Sequence, residues 1–232
     1  GQSWWQDYNG ESYAKKDVIF VTFSYRLGAL GFYADENLAR ESSNNTTGMY
    51  GFLDQVKALE WVNKNIKSFG GDPNKITIAG ESAGSSSVNA MCVSPLTKGL
   101  FRYAISESSS ITGKKPPHSY KDFADAIKQG KTLRDELGVS SPVDLRKVSA
   151  EKIANTSTKY GTLNAMTNDG YALKKSPYES YLAGEHNEKA LLTGYNKKDG
   201  DLFMLVDKKT NKDTYKESIK AIYPRAYREI IK

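Results

Sequence analysis

Cysteine occurs once among 232 residues, as Cys92, which excludes an internal disulfide framework and any CxxC or cysteine-cluster zinc site. Histidine is almost as scarce, with only His118 and His186 to supply an imidazole. No stretch approaches the roughly 18 uninterrupted apolar residues of a membrane-spanning helix, and the longest apolar run, Val18 to Phe23, already contains Thr22. Arginine interleaved with aromatics on one stripe, the usual nucleic-acid footprint, is missing too. The basic excess lies in lysine pairs such as Lys114-Lys115, Lys174-Lys175, Lys197-Lys198 and Lys208-Lys209, mixed with Asp and Glu. Dispersed in this way it reads as a solvated surface. Internal repeats and low-complexity tracts are also absent.

What is present suits a folded domain. Hydrophobic residues make up 38% of the chain and aromatics 11%, too much apolar surface for a disordered polymer. The length fits one sizeable domain, or a domain and a partner, at roughly 100 to 200 residues each. Charge is uneven: residues 1–113 carry 10 basic and 11 acidic groups, whereas 114–232 carry 23 and 16. The chain opens on Gly1 with neither an initiator Met nor an apolar leader. It stops inside a helix-like run, Tyr223 to Lys232, with no closing Gly or Pro. Both ends read as cut, so an internal piece of a longer protein is expected.

Asp17 to Tyr25 is a nearly continuous β-branched and aromatic run, the pattern of a strand buried on both faces of a parallel sheet. Leu53, Val56, Leu59, Val62 and Ile66 recur at three- and four-residue steps and predict an amphipathic helix over Asp54 to Ser68, closed by Gly70-Gly71. Lys75 to Ala79 predicts a short strand, the stretch through Cys92 a helix ending near Pro95, and Phe101 to Ser106 another strand. This alternation argues for an α/β protein with a mostly parallel sheet. Beyond Thr112 the pattern turns polar and helical. Ser119 to Leu137 closes at Gly138, and Ser141-Pro142-Val143-Asp144 and Ser176-Pro177-Tyr178-Glu179 carry capping signals with Pro at the first helical position. Strand character returns at Ala190 to Tyr195, followed by the loop Asn196 to Asp201. Three segments are expected: a core segment 1–113, a helical insertion 114–170, and a return to core strand and loop over 171–232.

Gly80-Glu81-Ser82-Ala83-Gly84 fits G-x-S-x-G, a motif with chemical content only between a strand and a helix, which is where the pattern puts it. A tight strained turn would hold the Ser82 hydroxyl clear of the sheet, with Gly80 and Gly84 leaving room for strand and helix to approach. The Ala83 N–H would face the same space, helped by the positive end of the helix, and could stabilise an oxyanion. The bland alternative is a flexible Gly/Ser turn.

The run Phe69 to Gly84 (FGGDPNKITIAGESAG) resembles the signature of the type-B carboxylesterase and cholinesterase family of α/β-hydrolases. So do Tyr25-Arg26-Leu27-Gly28, Gly31-Phe32, Leu53-Asp54-Gln55, Leu59-Glu60-Trp61-Val62, Ser94-Pro95, Leu100-Phe101, Asp169-Gly170-Tyr171 and Gly194-Tyr195-Asn196-Lys197, in the family's order. The resemblance implies an α/β-hydrolase fold, incomplete at both ends, that hydrolyses small-molecule carboxylic esters through an acyl-enzyme on Ser82, without metal or cofactor. In that fold nucleophile, acid and base follow in this chain order, and Asp199 stands behind the strand Ala190 to Tyr195. The family loop reads N-K-D-E-G, and here Asn196-Lys197-Lys198-Asp199-Gly200 puts Asp199 at the Glu position, with Asp201 as neighbouring competitor.

Both histidines precede Asp199, so each is read as a surface residue and the base is expected outside these residues. The family's H-G-G-G oxyanion loop is expected upstream of Gly1. The resemblance also implies an absent strand between Asp17 to Tyr25 and Lys75 to Ala79. It further implies a buried Arg26–Asp54 ion pair and an electrostatic or structural role for Glu81 beside the nucleophile. Ser108 matches a family serine, although Glu107 replaces the usual Gln. Trp4, Trp5 and Tyr8 are candidates for a pocket entrance or the core, and Cys92 for a small buried hydrophobe. The second functional reading, from a different class, is a catalytically silent cholinesterase-like adhesion or binding protein.

Overall fold

In the computed structural model the described residues are 6–109, 111–114, 116, 119–158, 165–199, 214–222 and 228. Trp4, Trp5, His118, Gly200 and Asp201 lie outside them, as does 223–232 apart from Arg228. In chain order the helices are α1 (Glu11–Ala14), α2 (Gly28–Phe32), α3 (Glu36–Glu41), α4 (Tyr50–Asn65), α5 (Ala83–Val93), α6 (Phe123–Leu137), α7 (Pro142–Leu145), α8 (Ala150–Ser157), α9 (Pro177–Leu182) and α10 (Tyr215–Ile222). The strands are β1 (Thr77–Glu81), β2 (Tyr103–Glu107), β3 (Tyr120–Lys121), β4 (Met166–Thr167) and β5 (Ala190–Gly194). The chain divides into two compact units, Gly1–Gly194 and Tyr195–Lys232.

β1, β2 and β5 form a parallel sheet in the order β1-β2-β5, with Gly80 opposite Ser106 and Ser106 opposite Thr193. Inward residues such as Ile78, Ala104 and Leu191 pack with Val88, Met91 and Cys92 of α5 and with Phe52, Val56 and Leu59 of α4 in the main core. The opposite face is bare: Thr77, Ala79, Glu81, Tyr103, Glu107 and Leu192 are exposed. Parallel sheets are ordinarily covered on both faces, and among the described residues one face is covered.

Asp17 to Tyr25 overturns the expectation of a doubly buried strand. Among the described residues it joins no ladder, and Val18, Ile19, Phe20, Val21 and Phe23 are all exposed. An apolar run becomes a strand only where a neighbour pairs its backbone groups, and none does so here. β1 is accordingly an edge of the described sheet. Its pairing on the other side falls to β2 alone.

Other boundaries shift by a few residues. The long helix starts at Tyr50 rather than Asp54 and passes at Ile66 into a 3₁₀ turn that Gly70 closes in the left-handed region (φ 85°). Residues 119–122 are not helical: Tyr120 and Lys121 pair in parallel with Met166 and Thr167, and α6 begins only at Phe123. The Ser176 expectation holds in full, since its hydroxyl accepts from the Glu179 N–H while the Glu179 carboxylate accepts from the Ser176 N–H.

A second core cluster, Ala29, Tyr33, Leu133 and Leu137, joins α6 to α2. Asp35 anchors it. This carboxylate is 3% exposed, accepts from the Asn37 N–H to cap α3, and takes further bonds from the Tyr33 hydroxyl (3.1 Å) and Arg134 Nη1 (2.6 Å). Burying an ion is tolerable only with such complete pairing. A cavity of about 440 Å³ lies beside this cluster, lined by residues such as Leu30, Tyr33, Leu133, Leu145 and Ile153, with the paired Arg26 and Arg146 among its walls.

Candidate active site

Ser82 occupies the turn between β1 and α5 and meets two backbone demands at once. Its N–H donates to the Glu107 carbonyl at 2.9 Å, extending the β1–β2 ladder by one residue. Its carbonyl accepts from the Ser86 N–H at 3.0 Å, which starts the helix. Satisfying both within one residue leaves Ser82 at φ 54°, ψ −114°, where a side chain costs about 1–3 kcal/mol unless the surroundings enforce it. The strain leaves the Ser82 side chain exposed at the carboxyl end of the sheet.

Gly80 makes the turn possible. A Cβ there would lie 2.3 Å from the Gly84 carbonyl carbon and 2.4 Å from its oxygen, whereas a Cβ on Gly84 would meet nothing within 4 Å. The two glycines of the motif are therefore unequal, contrary to the symmetrical reading of the pattern. Strand and helix approach at Gly80, and Gly84 is free of that demand.

Ala83 is the first residue of α5. The first N–H groups of a helix have no intrahelical acceptor and carry the positive end of its dipole. Glu81 and Glu107 are register partners in β1 and β2, so two exposed carboxylates stand side by side immediately before Ser82 and Ser108. Ser108 repeats the positive φ, at 60°, and its N–H donates to the Gly194 carbonyl at 2.8 Å.

Asp199 belongs to the second unit, five residues beyond the end of β5, whereas Ser82 and Ala83 belong to the first. It lies exposed in a turn in which its Oδ1 accepts from the Asn196 N–H at 3.3 Å and its own N–H donates to the Asn196 carbonyl at 3.2 Å. His186 sits at the other end of α5 from Ser82. Its neighbour Asn187 donates from its N–H to the Cys92 carbonyl at 2.8 Å, and α5 has 11 residues, hence a length of about 16 Å. The His186 ring, half exposed, lies 3.2 Å from Glu188 Oε1 and stacks on Tyr181.

Arg26 and Asp54 pair as expected, through Nε at 2.7 Å and Nη2 at 2.6 Å, but their side chains are 53% and 28% exposed rather than buried. The guanidinium holds the Asp54 carboxyl below the usual carboxylate range. Cys92 is fully buried, and desolvation together with the nearby Glu188 pushes its thiol up, as fits a packing residue. Among the described residues no group of three or more His, Cys, Asp or Glu side chains could hold a metal ion. Nor does any helix among them have the length and apolarity to cross a membrane. Sequence reasoning missed the polar side chains behind the elbow, Ser85, Asn89 and Ser106. Their signal was Ser106, a hydroxyl at the inward position two residues after Ala104 in β2.

The profile of the Carboxylesterase family matches residues 1–229. The chain is 34% identical to Fumonisin B1 esterase of Sphingopyxis macrogoltabida, over 84% of this chain and 36% of that protein. It is likewise 34% identical to Liver carboxylesterase 1F of Rattus norvegicus, over 80% of this chain and 35% of that protein. The crystal structure of the Geobacillus stearothermophilus carboxylesterase EST55 at pH 6.2 superposes with a TM-score of 0.82 at 31% identity, covering 95% of this chain and 47% of that one. A structure described as PNB esterase gives a TM-score of 0.79 at 29% identity, covering 95% and 48%. The chain thus spans about a third of the length of these curated relatives and about half that of the solved structures.

The inequality of the two glycines is testable. Gly80→Ala is expected to cost about 1–3 kcal/mol or more, the usual penalty for forcing a packed backbone apart. Gly84→Ala is expected to leave stability unchanged or raise it by up to about 1 kcal/mol, by restricting the unfolded chain. Urea unfolding midpoints of the two variants decide the matter, and equal losses would show that the close approach at Gly80 is not what shapes the turn.

Proposed function

Because the chain belongs to the carboxylesterase family and has the α/β-hydrolase fold of the solved carboxylesterases it superposes on, we propose that it carries the nucleophile of a carboxylic ester hydrolase. The observation that carries this reading is Ser82, held at φ 54° between β1 and α5 with its side chain exposed.

In the proposed reaction Ser82 Oγ attacks the carbonyl carbon of a small-molecule ester while a histidine base takes its proton. The Ala83 N–H supplies one hydrogen bond to the oxyanion. Collapse of the tetrahedral intermediate breaks the bond to the alcohol oxygen, which receives the proton from the histidine, and leaves the acyl group on Ser82. Water, deprotonated by the same base, then attacks the acyl-enzyme and releases the carboxylic acid. Asp199 orients the histidine. Its support is chain order, five residues after β5, and its place at the Glu position of the family's N-K-D-E-G loop. The histidine itself and the glycine-rich loop that completes the oxyanion hole lie outside these 232 residues. The two histidines present precede Asp199, and the described one, His186, sits at the far end of α5.

Treatment of the complete enzyme with an organophosphonate ester, followed by peptide mass spectrometry, is expected to find the adduct on Ser82 and none after Ser82→Ala. Labelling elsewhere would move the nucleophile. A complete protein that is folded yet inert to the reagent would mark a binding protein that keeps the fold without the reaction.

Asp199→Asn is expected to lower kcat on the order of 10⁴-fold with the fold intact, as for an acid held against a catalytic histidine. Near-normal turnover in steady-state assays would pass the role to Asp201 or another carboxylate.

The 232 residues alone are expected to show no measurable hydrolysis of an aryl acetate. Loss of a triad member costs on the order of 10⁶ in kcat, and a missing oxyanion donor roughly 10²–10³ more. A purified monomer of this length whose turnover is abolished by Ser82→Ala would overturn the assignment of the base to a position outside the chain.

A further inference from the structure

Behind the elbow runs a continuous chain of buried polar side chains. The Tyr181 hydroxyl of α9 donates to Asn89 Oδ1 at 3.2 Å, and Asn89 Nδ2 donates to Ser106 Oγ of β2 at 2.6 Å and to the Ser85 carbonyl at 3.0 Å. The Ser106 and Ser85 hydroxyls are 2.7 Å apart. Ser85, Asn89 and Ser106 are 0%, 3% and 1% exposed. A second tie, Ser86 Oγ to Ser109 Oγ at 3.0 Å, fastens the same helical turn to the loop after β2, where Ser109 Oγ also accepts from the Ile111 N–H at 3.2 Å.

Burying hydroxyls and an amide in a core is costly unless each is bonded, and the accounting here is complete for Asn89. Both of its amide protons are used and its oxygen accepts. Reversing the amide would set Oδ1 against the Ser85 carbonyl and Nδ2 against the Tyr181 hydroxyl, so only one orientation satisfies the set. Burial, with Cys92 and Glu188 nearby, pushes the Tyr181 phenol up, so it remains a proton donor at any working pH. The side chains that pack α5 against the sheet beside this chain are apolar: Val88, Met91 and Cys92 against Ile78 and Ala104. Apolar burial is non-directional and by itself sets neither the rotation nor the register of α5 to within a fraction of an ångström. The polar chain does so, one turn from the residue in the strained conformation.

We propose that Ser106 and Asn89 are positioning residues for Ser82: with Ser85 and Tyr181 they lock the rotation of α5 against β2 and thereby aim the Ser82 hydroxyl and the Ala83 N–H. This rests on the reading of Ser82 as the nucleophile. Neither residue touches substrate. Each acts through the helix that carries the reacting groups.

The test uses the complete enzyme and measures the second-order rate of phosphonylation at Ser82, kcat and KM for an aryl acetate, and the thermal midpoint. Ser106→Ala is expected to slow phosphonylation and lower kcat by about 10- to 100-fold, since misplacement by about 1 Å costs up to about 10²-fold, with KM nearly unchanged. Ser106→Thr, which keeps the hydroxyl, should restore most of the rate. Leu133→Ala, in the separate cluster on α6, supplies a comparable loss of stability without touching α5 and should leave the phosphonylation rate unchanged. Should Ser106→Ala not fold, Tyr181→Phe removes only the outermost hydroxyl and is expected to slow phosphonylation by about 3- to 10-fold, one hydrogen bond's worth. A wild-type rate in Ser106→Ala, or in Tyr181→Phe where Ser106→Ala does not fold, overturns the positioning role. So does a slowing that Leu133→Ala reproduces. A wild-type enzyme that is not labelled at Ser82 overturns the nucleophile reading, and this inference with it.

Discussion

The hydrogen bond from the Ser82 N–H to the Glu107 carbonyl, 2.9 Å long, forces one residue to end a strand and begin a helix. An ordinary loop would spread that change of direction over several residues. Here it falls on a single φ of 54°, and the strain persists because both flanking elements are fixed. β1 is paired along its length with β2, and α5 is packed and hydrogen-bonded onto the same sheet. Gly80 lets the helix backbone come close enough for the turn to close. The exposure of the Ser82 side chain is thus a consequence of backbone geometry.

The helix that follows the elbow, α5, is held at both ends by different chemistry. At its start the ties are the Ser82 carbonyl and the serine pairs to β2 and the following loop. At its finish Asn187 serves as a cap from outside the helix. Its Nδ2 reaches the carbonyls of Met91 (3.2 Å) and Ser94 (2.7 Å), and its N–H the carbonyl of Cys92. These are the acceptors that a helix end leaves unsatisfied. The segment that supplies this cap leads directly into β5, so the register of the third strand and the seat of α5 are set together.

Among the described residues the sheet is covered on one face, and that asymmetry accounts for much of what is exposed among them. Leu192, Tyr103 and the run Val18 to Phe23 present apolar surface to solvent, and the Arg26–Asp54 pair lies half open. Among the described residues the larger cluster of buried apolar side chains joins α4 and α5, directly behind the elbow.

Local signals alone determined the elbow, the alternation of strands and helices, the Ser176 capping box and the family. Each depends on residues close in sequence: a glycine two before the serine, an apolar period, a hydroxyl three residues from a carboxylate. Where a partner distant in sequence decided the outcome, the sequence by itself misled or was silent. The Asp17 to Tyr25 run has every local property of a strand and forms none among the described residues, because a ladder needs a neighbour. Tyr120 and Lys121 leave the helical pattern because Met166 and Thr167, some 45 residues away, offer them a ladder. Gly84 carries the same motif weight as Gly80 in sequence, and only the approach of the helix backbone to the strand separates them. Ser106 reads as a misplaced hydroxyl at an inward strand position until Ser85 and Asn89 arrive to bond it. A buried hydroxyl is costly or useful according to what the tertiary fold brings within about 3 Å of it.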